Sequence, residues 1–366
     1  MDPLLDELRL ALISGVGPRL RQRLLERFGS IREVLAAAPS ELREVQGIGP
    51  KLAQRIAAAP EEIDAEGEID FCRAQGIELL SLGQTEYPNS LRTIHDPPSV
   101  LFMRGGLMAR DALAVAIVGT RHPTPYGVRT ATRLAESLAR AGLTVVSGLA
   151  RGIDAAAHRG ALSAGGRTLA VLAGGVYEIY PPEHAELAQE IAAAGALLSE
   201  APTRAVPQSG MFPQRNRIIS GLSLGVIVVE AGDRSGALIT AQHANEQGRE
   251  VFAVPGRIED RTSRGCHRLI RDGARLVHTV DDVLEELGPL FQPAACDDGQ
   301  VVHHPGELLL NETEQQVLSA IGSEVASIDE VTAETGLSAA QVLSTVSVLE
   351  MRRLIRRLSG ASVVRI

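Results

Sequence analysis

The sequence predicts an α/β protein: a parallel sheet flanked by an N-terminal helical domain and a C-terminal winged-helix-like domain. Three observations predict it. Residues 113–154 read as strand, glycine turn, helix, strand, glycine turn, helix. Residues 1–68 hold two copies of a Gly-apolar-Gly-Pro hairpin, each leading into a helix. Residues 308–366 give three short helices and a closing hairpin.

The helical domain spans 1–68. Ser14-Gly15-Val16-Gly17-Pro18-Arg19-Leu20 is echoed by Gln46-Gly47-Ile48-Gly49-Pro50-Lys51-Leu52. The pattern resembles the helix–hairpin–helix motif (a SAM-like tandem), whose hairpin N–H groups hold a nucleic-acid phosphate without reading sequence. Arg19, Arg21, Arg23 and Arg27 cluster on the first copy, but Glu61, Glu62, Asp64, Glu66 and Glu68 follow the second. Phosphate contact and a purely packing role both stay open.

The sheet domain spans 69–287. Ile77–Leu80 and Val100–Met103 read as short strands, separated by turn signals at Tyr87-Pro88 and Asp96-Pro97-Pro98. Leu113–Val118 is continuously apolar, the mark of a buried parallel strand. A helix from about Tyr126 to Ala141 leads to a second strand, Leu143–Val146. Further strands are expected at 168–172, 196–199, 226–230, 250–254 and 275–277, alternating with helices. Open α/β sheets bind ligands in the crevice at their strand ends. The first two glycine turns, Gly119-Thr120-Arg121 and Ser147-Gly148-Leu149-Ala150-Arg151, would face one such crevice. Glycine lets backbone N–H groups approach an anion, and a helix N-terminus adds partial positive charge. With Arg121 and Arg151 beside them, the pair points to more than one phosphate.

Residues 288–307 lack periodicity and read as a linker. Beyond them, helices are expected at about 312–321, 327–335 and 338–349, with Ser327 and Ser338 as N-caps. Residues 354–366 read as a hairpin. The recognition-helix position, 339–346, carries no basic residue, whereas a base reader normally needs Arg or Lys there. A protein-contact or packing role is expected. Arg352, Arg353, Arg356 and Arg357 read as a solvated face.

Composition narrows the function. Net charge is −9, so a polyanion must meet a local basic surface. Lys51 is the sole lysine, so that surface is arginine. Aromatics make up 3% with no Trp, which makes base stacking a minor term. Cys72, Cys266 and Cys296 are too far apart for a zinc motif or a disulfide framework. Met1-Asp2-Pro3 does not open a signal peptide, and no apolar run reaches membrane-span length. A soluble cytoplasmic protein without metal or cofactor is expected.

Five motifs in order resemble the bacterial DNA-processing family DprA, also called Smf. They are Gly119-Thr120-Arg121; Ser147 through Asp154; Phe212-Pro213-Gln214-Arg215-Asn216-Arg217-Ile218-Ile219-Ser220-Gly221; Val229-Glu230-Ala231 with Ser235 through Ala241; and Val254-Pro255-Gly256. The resemblance covers essentially the whole chain. It implies an extended Rossmann-like sheet domain. It also implies a non-enzymatic single-stranded DNA binder, acting as a dimer through that domain. Such a protein protects incoming DNA in natural transformation (competence) and loads the RecA recombinase for DNA recombination. Carried over, its DNA pocket falls on Gly119, Thr120, Arg121, Ser147, Gly148, Arg151, Arg215, Asn216 and Arg217. The family's first motif commonly reads Gly-Ser-Arg, and many members have Lys where this chain has Arg151. Hydroxyl and charge are kept.

The rival is a nucleotide-processing enzyme of the phosphoribohydrolase type. Its Pro-Gly-Gly-x-Gly-Thr signature is absent; Ala173-Gly174-Gly175-Val176 is the nearest approach. Asp154, His158 and Glu230 are the candidate catalytic groups. Asp154 and His158, four apart on one helix face, are expected to form a local hydrogen-bonded pair. No dinucleotide glycine fingerprint or Walker lysine motif occurs.

Overall fold

The computed structural model describes residues 3–288, 294–295, 301–302, 310–321, 326–351, 354–358 and 362–365. Six helices come first: α1 (Pro3–Leu12), α2 (Pro18–Phe28), α3 (Ile31–Ala36), α4 (Pro39–Leu42), α5 (Pro50–Glu62) and α6 (Ala65–Ala74). α2 and α5 both start on a proline directly after a hairpin glycine, where the missing N–H costs nothing. The hairpins turn through Gly15 and Gly47, at φ 97° and 100°. Arg23 donates across to the Gln46 carbonyl at 3.0 Å, so the two copies pack on each other. Leu10, Leu24, Leu42 and Ile56 fill the core between them.

The sheet domain runs β1 (Glu78–Ser81), α7 (Asn89–Arg92), β2 (Val100–Gly105), β3 (Ala114–Val118), α8 (Pro125–Arg140), β4 (Thr144–Ser147), α9 (Ile153–Ser163), β5 (Thr168–Leu172), α10 (Ala185–Ala194), β6 (Ala196–Ser199), α11 (Met211–Gly221), β7 (Gly225–Val228), α12 (Gly236–Glu246), β8 (Glu250–Ala253), α13 (Arg264–Arg271), β9 (Arg275–Leu276) and α14 (Val280–Leu287). The strand order is β1-β2-β6-β5-β4-β3-β7-β8-β9. From β6 to β9 every pairing is parallel. β1–β2 and β2–β6 are antiparallel, so the expected parallel sheet is a mixed one with a parallel core. Only the short helix α7 lies between β1 and β2, in place of the long helix that usually carries a parallel crossover. Strand order reverses at β3, which lies between β4 and β7. That reversal places a crevice at the carboxyl ends of these strands.

The last helix of the helical domain, α6, runs past the expected boundary at 68 to Ala74, and the domain docks on the sheet domain through α1 and α6. Leu8, Ala65 and Cys72 share a core with Ala170, Leu172 and Val176. Glu68 accepts from the Thr203 backbone N–H at 2.9 Å and its hydroxyl at 2.7 Å.

Where a linker is expected, β10 (Ala294–Ala295) pairs antiparallel with β11 (Val301–Val302); the rest of that stretch, with Cys296, lies outside the described residues. Next come α15 (Glu312–Ala320), β12 (Ala326–Ser327), α16 (Ile328–Thr335), α17 (Ala339–Met351), β13 (Ile355–Leu358) and β14 (Ser362–Arg365). The strands order β12-β14-β13, completing a winged helix. Ser327 and Ser338 cap α16 and α17, accepting from Glu330 N at 3.2 Å and Gln341 N at 3.4 Å. Arg357 folds back over α17, bonding the Ser347 hydroxyl at 2.6 Å and pairing with Glu350 at 3.3 Å. Arg352 and Arg353 lie outside the described residues. No described helix is long and apolar enough to cross a membrane, and no described cluster of His, Cys, Asp and Glu could hold a metal ion.

One buried ion pair ties the β2–β3 connection to the sheet. Arg167 grips Asp111 with Nε at 2.9 Å and Nη2 at 2.8 Å, and donates to the Gly106 carbonyl at 2.7 Å. Asp111 also accepts from the Thr144 hydroxyl at 2.8 Å. Removing one member leaves the other charge buried, at a cost of about 3–5 kcal/mol. Asp111→Ala is therefore expected to lower the urea midpoint sharply, whereas Asp70→Ala, which removes only an exposed pair with Arg73, is expected to leave it nearly in place.

Candidate nucleic-acid interface

The crevice is built where the turns after β3 and β4 meet. Thr120 donates its backbone N–H to the Glu230 carbonyl at 2.7 Å, and its own carbonyl accepts from Ile153 N at 3.3 Å. The approach is close. A Cβ on Gly152, at φ 83°, would sit 2.4 Å from the Thr120 carbonyl oxygen. Leu149 has φ 56°, the one non-glycine in the left-handed region among the described residues. Such a residue costs about 1–3 kcal/mol and persists only where its surroundings over-determine it. Here the side chain is fully buried and the carbonyl bonds His184 Nδ1 at 2.9 Å.

The amides assigned to phosphate from sequence are largely occupied by the chain itself. Asp154 turns back from the start of α9 and accepts from the N–H groups of Ala150, at 3.3 Å, and Gly148. Burial pushes its carboxyl above the usual range, against the pull of Arg215 and those two N–H groups. Glu230 does the same at α8, accepting from Thr124 N at 2.9 Å and the Thr124 hydroxyl at 2.5 Å. Negative charge is favourable at a helix N-terminus, and these two carboxylates supply it.

Arg215 reaches from α11 beneath the second turn. It donates to the Gly148 carbonyl at 2.7 Å and to the Val171 carbonyl. Burial brings its pKa down to about 10, with Asp154 opposing. Asn216 accepts from Arg215 Nε at 3.3 Å and donates to the Gly236 carbonyl at 3.2 Å. Two expected residues face elsewhere. The Ser147 hydroxyl is buried and bonds the Ile117 carbonyl at 2.6 Å. Arg217 is held by both Glu200 oxygens at 2.7 Å, with Asp96 at 3.4 Å.

The open cleft encloses about 470 Å³ and is lined by Gly119, Thr120, Arg121, Phe212, Arg215, Asn216 and Arg234, among others. Arg121 and Arg234 are exposed, and neither has an ion pair among the described residues. Arg121 stacks 4.7 Å over the Phe212 ring. An adjoining notch, between Gly148, Arg151, Tyr180 and Phe212, holds only about 20 Å³, room for one water. It is closed by a close ion pair of Arg151 with Glu183, whose carboxyl that hydrogen bond holds below the usual range. Sequence reasoning missed Arg234, Phe212 and Tyr180 as site residues. Arg234 follows a strand-end glycine and Phe212 opens the arginine-bearing helix, so both carried a signal.

The expected Asp154–His158 pair does not form. His158 Nδ1 lies 2.7 Å from the Thr168 hydroxyl, which itself donates to the Val145 carbonyl. Nδ1 therefore carries the proton, and the buried Nε2 has no partner.

Comparison with known proteins gives three family matches. Residues 78–288 match DNA recombination-mediator protein A, 7–59 a SAM-like helix-hairpin-helix tandem, and 303–361 the DprA winged helix domain. Protein Smf of Synechocystis is 35% identical over 378 residues, covering 95% of each chain. The X-ray structure of DNA processing protein A from Streptococcus pneumoniae aligns at TM-score 0.67 and 35% identity, over 78% of this chain and 98% of that one. The DNA processing protein A from Helicobacter pylori, solved for its single-stranded DNA binding mode, aligns at TM-score 0.53 and 32% identity, over 59% and 97%.

His158 yields a stability prediction. Burial, then His184 and Arg215, lower its pKa from 6.5 to about 3. Between those values the unfolded chain binds the extra proton, so stability falls as pH drops through the window. In urea titrations from pH 7 to 4, His158→Gln is expected to flatten that slope by up to about 1.4 kcal/mol per pH unit. An unchanged slope would show that His158 titrates normally.

Proposed function

The chain belongs to the DNA recombination-mediator protein A family, and on that premise we propose that it is a non-enzymatic, cytoplasmic single-stranded DNA binder. One observation carries the reading: exposed cations with no ion pair among the described residues stand beside a ring at the sheet's crevice. Arg121 and Arg234 project into it unpaired, beside Phe212. Of the turn N–H groups that a mononucleotide enzyme would use for phosphate, those of Ala150 and Gly148 go to the Asp154 carboxylate and that of Thr120 to the Glu230 backbone carbonyl. His158, its candidate base, is buried and stays neutral. The binding mode attributed to the Helicobacter pylori relative is extended here to this chain. In this proposal the strand lies along Gly119, Thr120 and Arg121, with Arg215 and Asn216 as the floor and Gly148 and Arg151 at the notch. Ser147 and Arg217 support the site from behind. Homodimerisation through the sheet domain, and delivery of the strand to RecA during natural transformation, complete the reading.

Anisotropy with fluorescent oligo-dT and the matching duplex tests it. Tight binding of the single strand, weakening with salt, is expected, because each neutralised phosphate releases roughly 0.7 counterion from a single strand. Replacing Arg121 and Arg234 together with Ala should make the logarithmic salt slope shallower by roughly 1.4. An unchanged slope puts the phosphates elsewhere. Release of free base from a nucleoside monophosphate would replace the binder with an enzyme.

Glu183 competes with phosphate for Arg151. Glu183→Gln is expected to tighten oligo-dT binding several-fold at low salt, read by the same anisotropy assay. Equal or weaker binding would remove Arg151 from the strand's path.

A further inference from the structure

The chain has six Phe and four Tyr in all. Four of these ten form two ring pairs: Phe212 lines the cleft and Tyr180 the adjoining notch, and Tyr177 stands on the Tyr180 loop against Phe71. Phe212 and Tyr180 meet edge to face, with centroids 6.2 Å apart. Tyr177 and Phe71 meet the same way at 5.1 Å and 76°. Tyr177 and Tyr180 sit on one loop, three residues apart, so at most about 11 Å of chain separates them. Arg204 stacks 4.4 Å over Phe71, is exposed, and has no ion pair among the described residues. Tyr177 and Tyr180 are 42% and 46% exposed, so each ring keeps a face open to a ligand.

This second platform is fixed in place. Tyr177 N bonds the Thr203 carbonyl at 3.1 Å, and Gly175 N bonds the Ala205 carbonyl at 2.9 Å. Thr203 is in turn held to Glu68 of α6, the helix that carries Phe71. Rings with an unpaired guanidinium beside them are what a single strand uses: bases stack on the rings and phosphate meets the cation. Glu178 lines the notch beside Tyr180 and Phe212, where its carboxylate would repel a phosphate.

We infer that Tyr177, Phe71 and Arg204 form a second stacking step, which receives the next nucleotides of a strand seated in the cleft and carries it onto α6. The inference rests on the single-strand reading above. Nothing in that reading requires the helical domain to touch DNA.

The test uses the full chain and labelled oligo-dT of two lengths, roughly 6 and 15 nucleotides, which bracket common site sizes. Tyr177→Ala and Arg204→Ala should each weaken the longer strand about tenfold and leave the shorter one unchanged. Tyr177→Phe keeps the ring and should bind the longer strand like wild type. Arg121→Ala should weaken both lengths. Wild-type binding of the longer strand by both alanine variants overturns the second step and leaves the cleft standing. Equal weakening of both lengths overturns it too, because the ring then belongs to the cleft. Wild-type failure to bind either length sinks the single-strand reading itself. Should Tyr177→Ala not fold by circular dichroism, Arg204→Glu decides, with stronger loss on the longer strand expected.

Discussion

The Arg215 guanidinium lies wholly inside the protein, against the carbonyls of Gly148 and Val171 and facing the Asp154 carboxyl. Burying a charge is tolerable only when it is paired and hydrogen-bonded. Arg215 meets the condition by bonding the ends of β4 and β5 at once, which fixes two adjacent strand ends relative to α11. Asp154 meets it by accepting from the second turn's own N–H groups. The turn, with Leu149 in its left-handed conformation, is thus clamped from both sides. A Cβ on Gly148 would lie 2.5 Å from the guanidinium, so any other residue here would displace Arg215 from its carbonyls. The mouth of the sheet is rigid before any ligand arrives, and a rigid mouth spares a bound strand the entropy of ordering it.

The same clamp settles the sign of the surface. The chain as a whole is acidic, at −9. Two carboxylates at the crevice, Asp154 and Glu230, are buried and accept from N–H and hydroxyl donors of the chain itself. The exposed arginines Arg121, Arg234 and Arg204 have no ion pair among the described residues. A cleft with low-dielectric walls focuses such a local field, so a strand can be drawn to one face of an acidic protein. Arg151 is the exception, and its pairing with Glu183 makes it an adjustable element rather than a fixed one.

The sheet was legible because buried parallel strands are unbroken apolar runs ending in glycine. Each expected strand from β3 to β9 appears within a few residues of its place. The antiparallel edge was not legible, since pairing direction depends on the connection and not on the apolar run. At the site, taking Arg215, Asn216 and Arg217 as one pocket ignored helix geometry. Residues two apart point to different sides of a helix, and Arg217 duly reaches Glu200 while Arg215 reaches Gly148. The occupation of the turns by carboxylates was out of reach: Glu230 and Thr124 are 106 residues apart in the chain. So was the aromatic strip, drawn from three separate stretches whose composition looks poor in rings.

That strip changes what the N-terminal domain is for. α6 ends the helical domain and at the same time walls the sheet domain, through Cys72 in the shared core and Glu68 on Thr203. Its Phe71 packs on Tyr177 and under Arg204, both from the sheet domain. Neither half owns that surface alone. The tandem hairpins, with Gly47, Gly49 and Lys51 exposed, stand on the same domain. Each hairpin glycine pair opens a helix, α2 or α5, whose N-terminus has no side-chain cap.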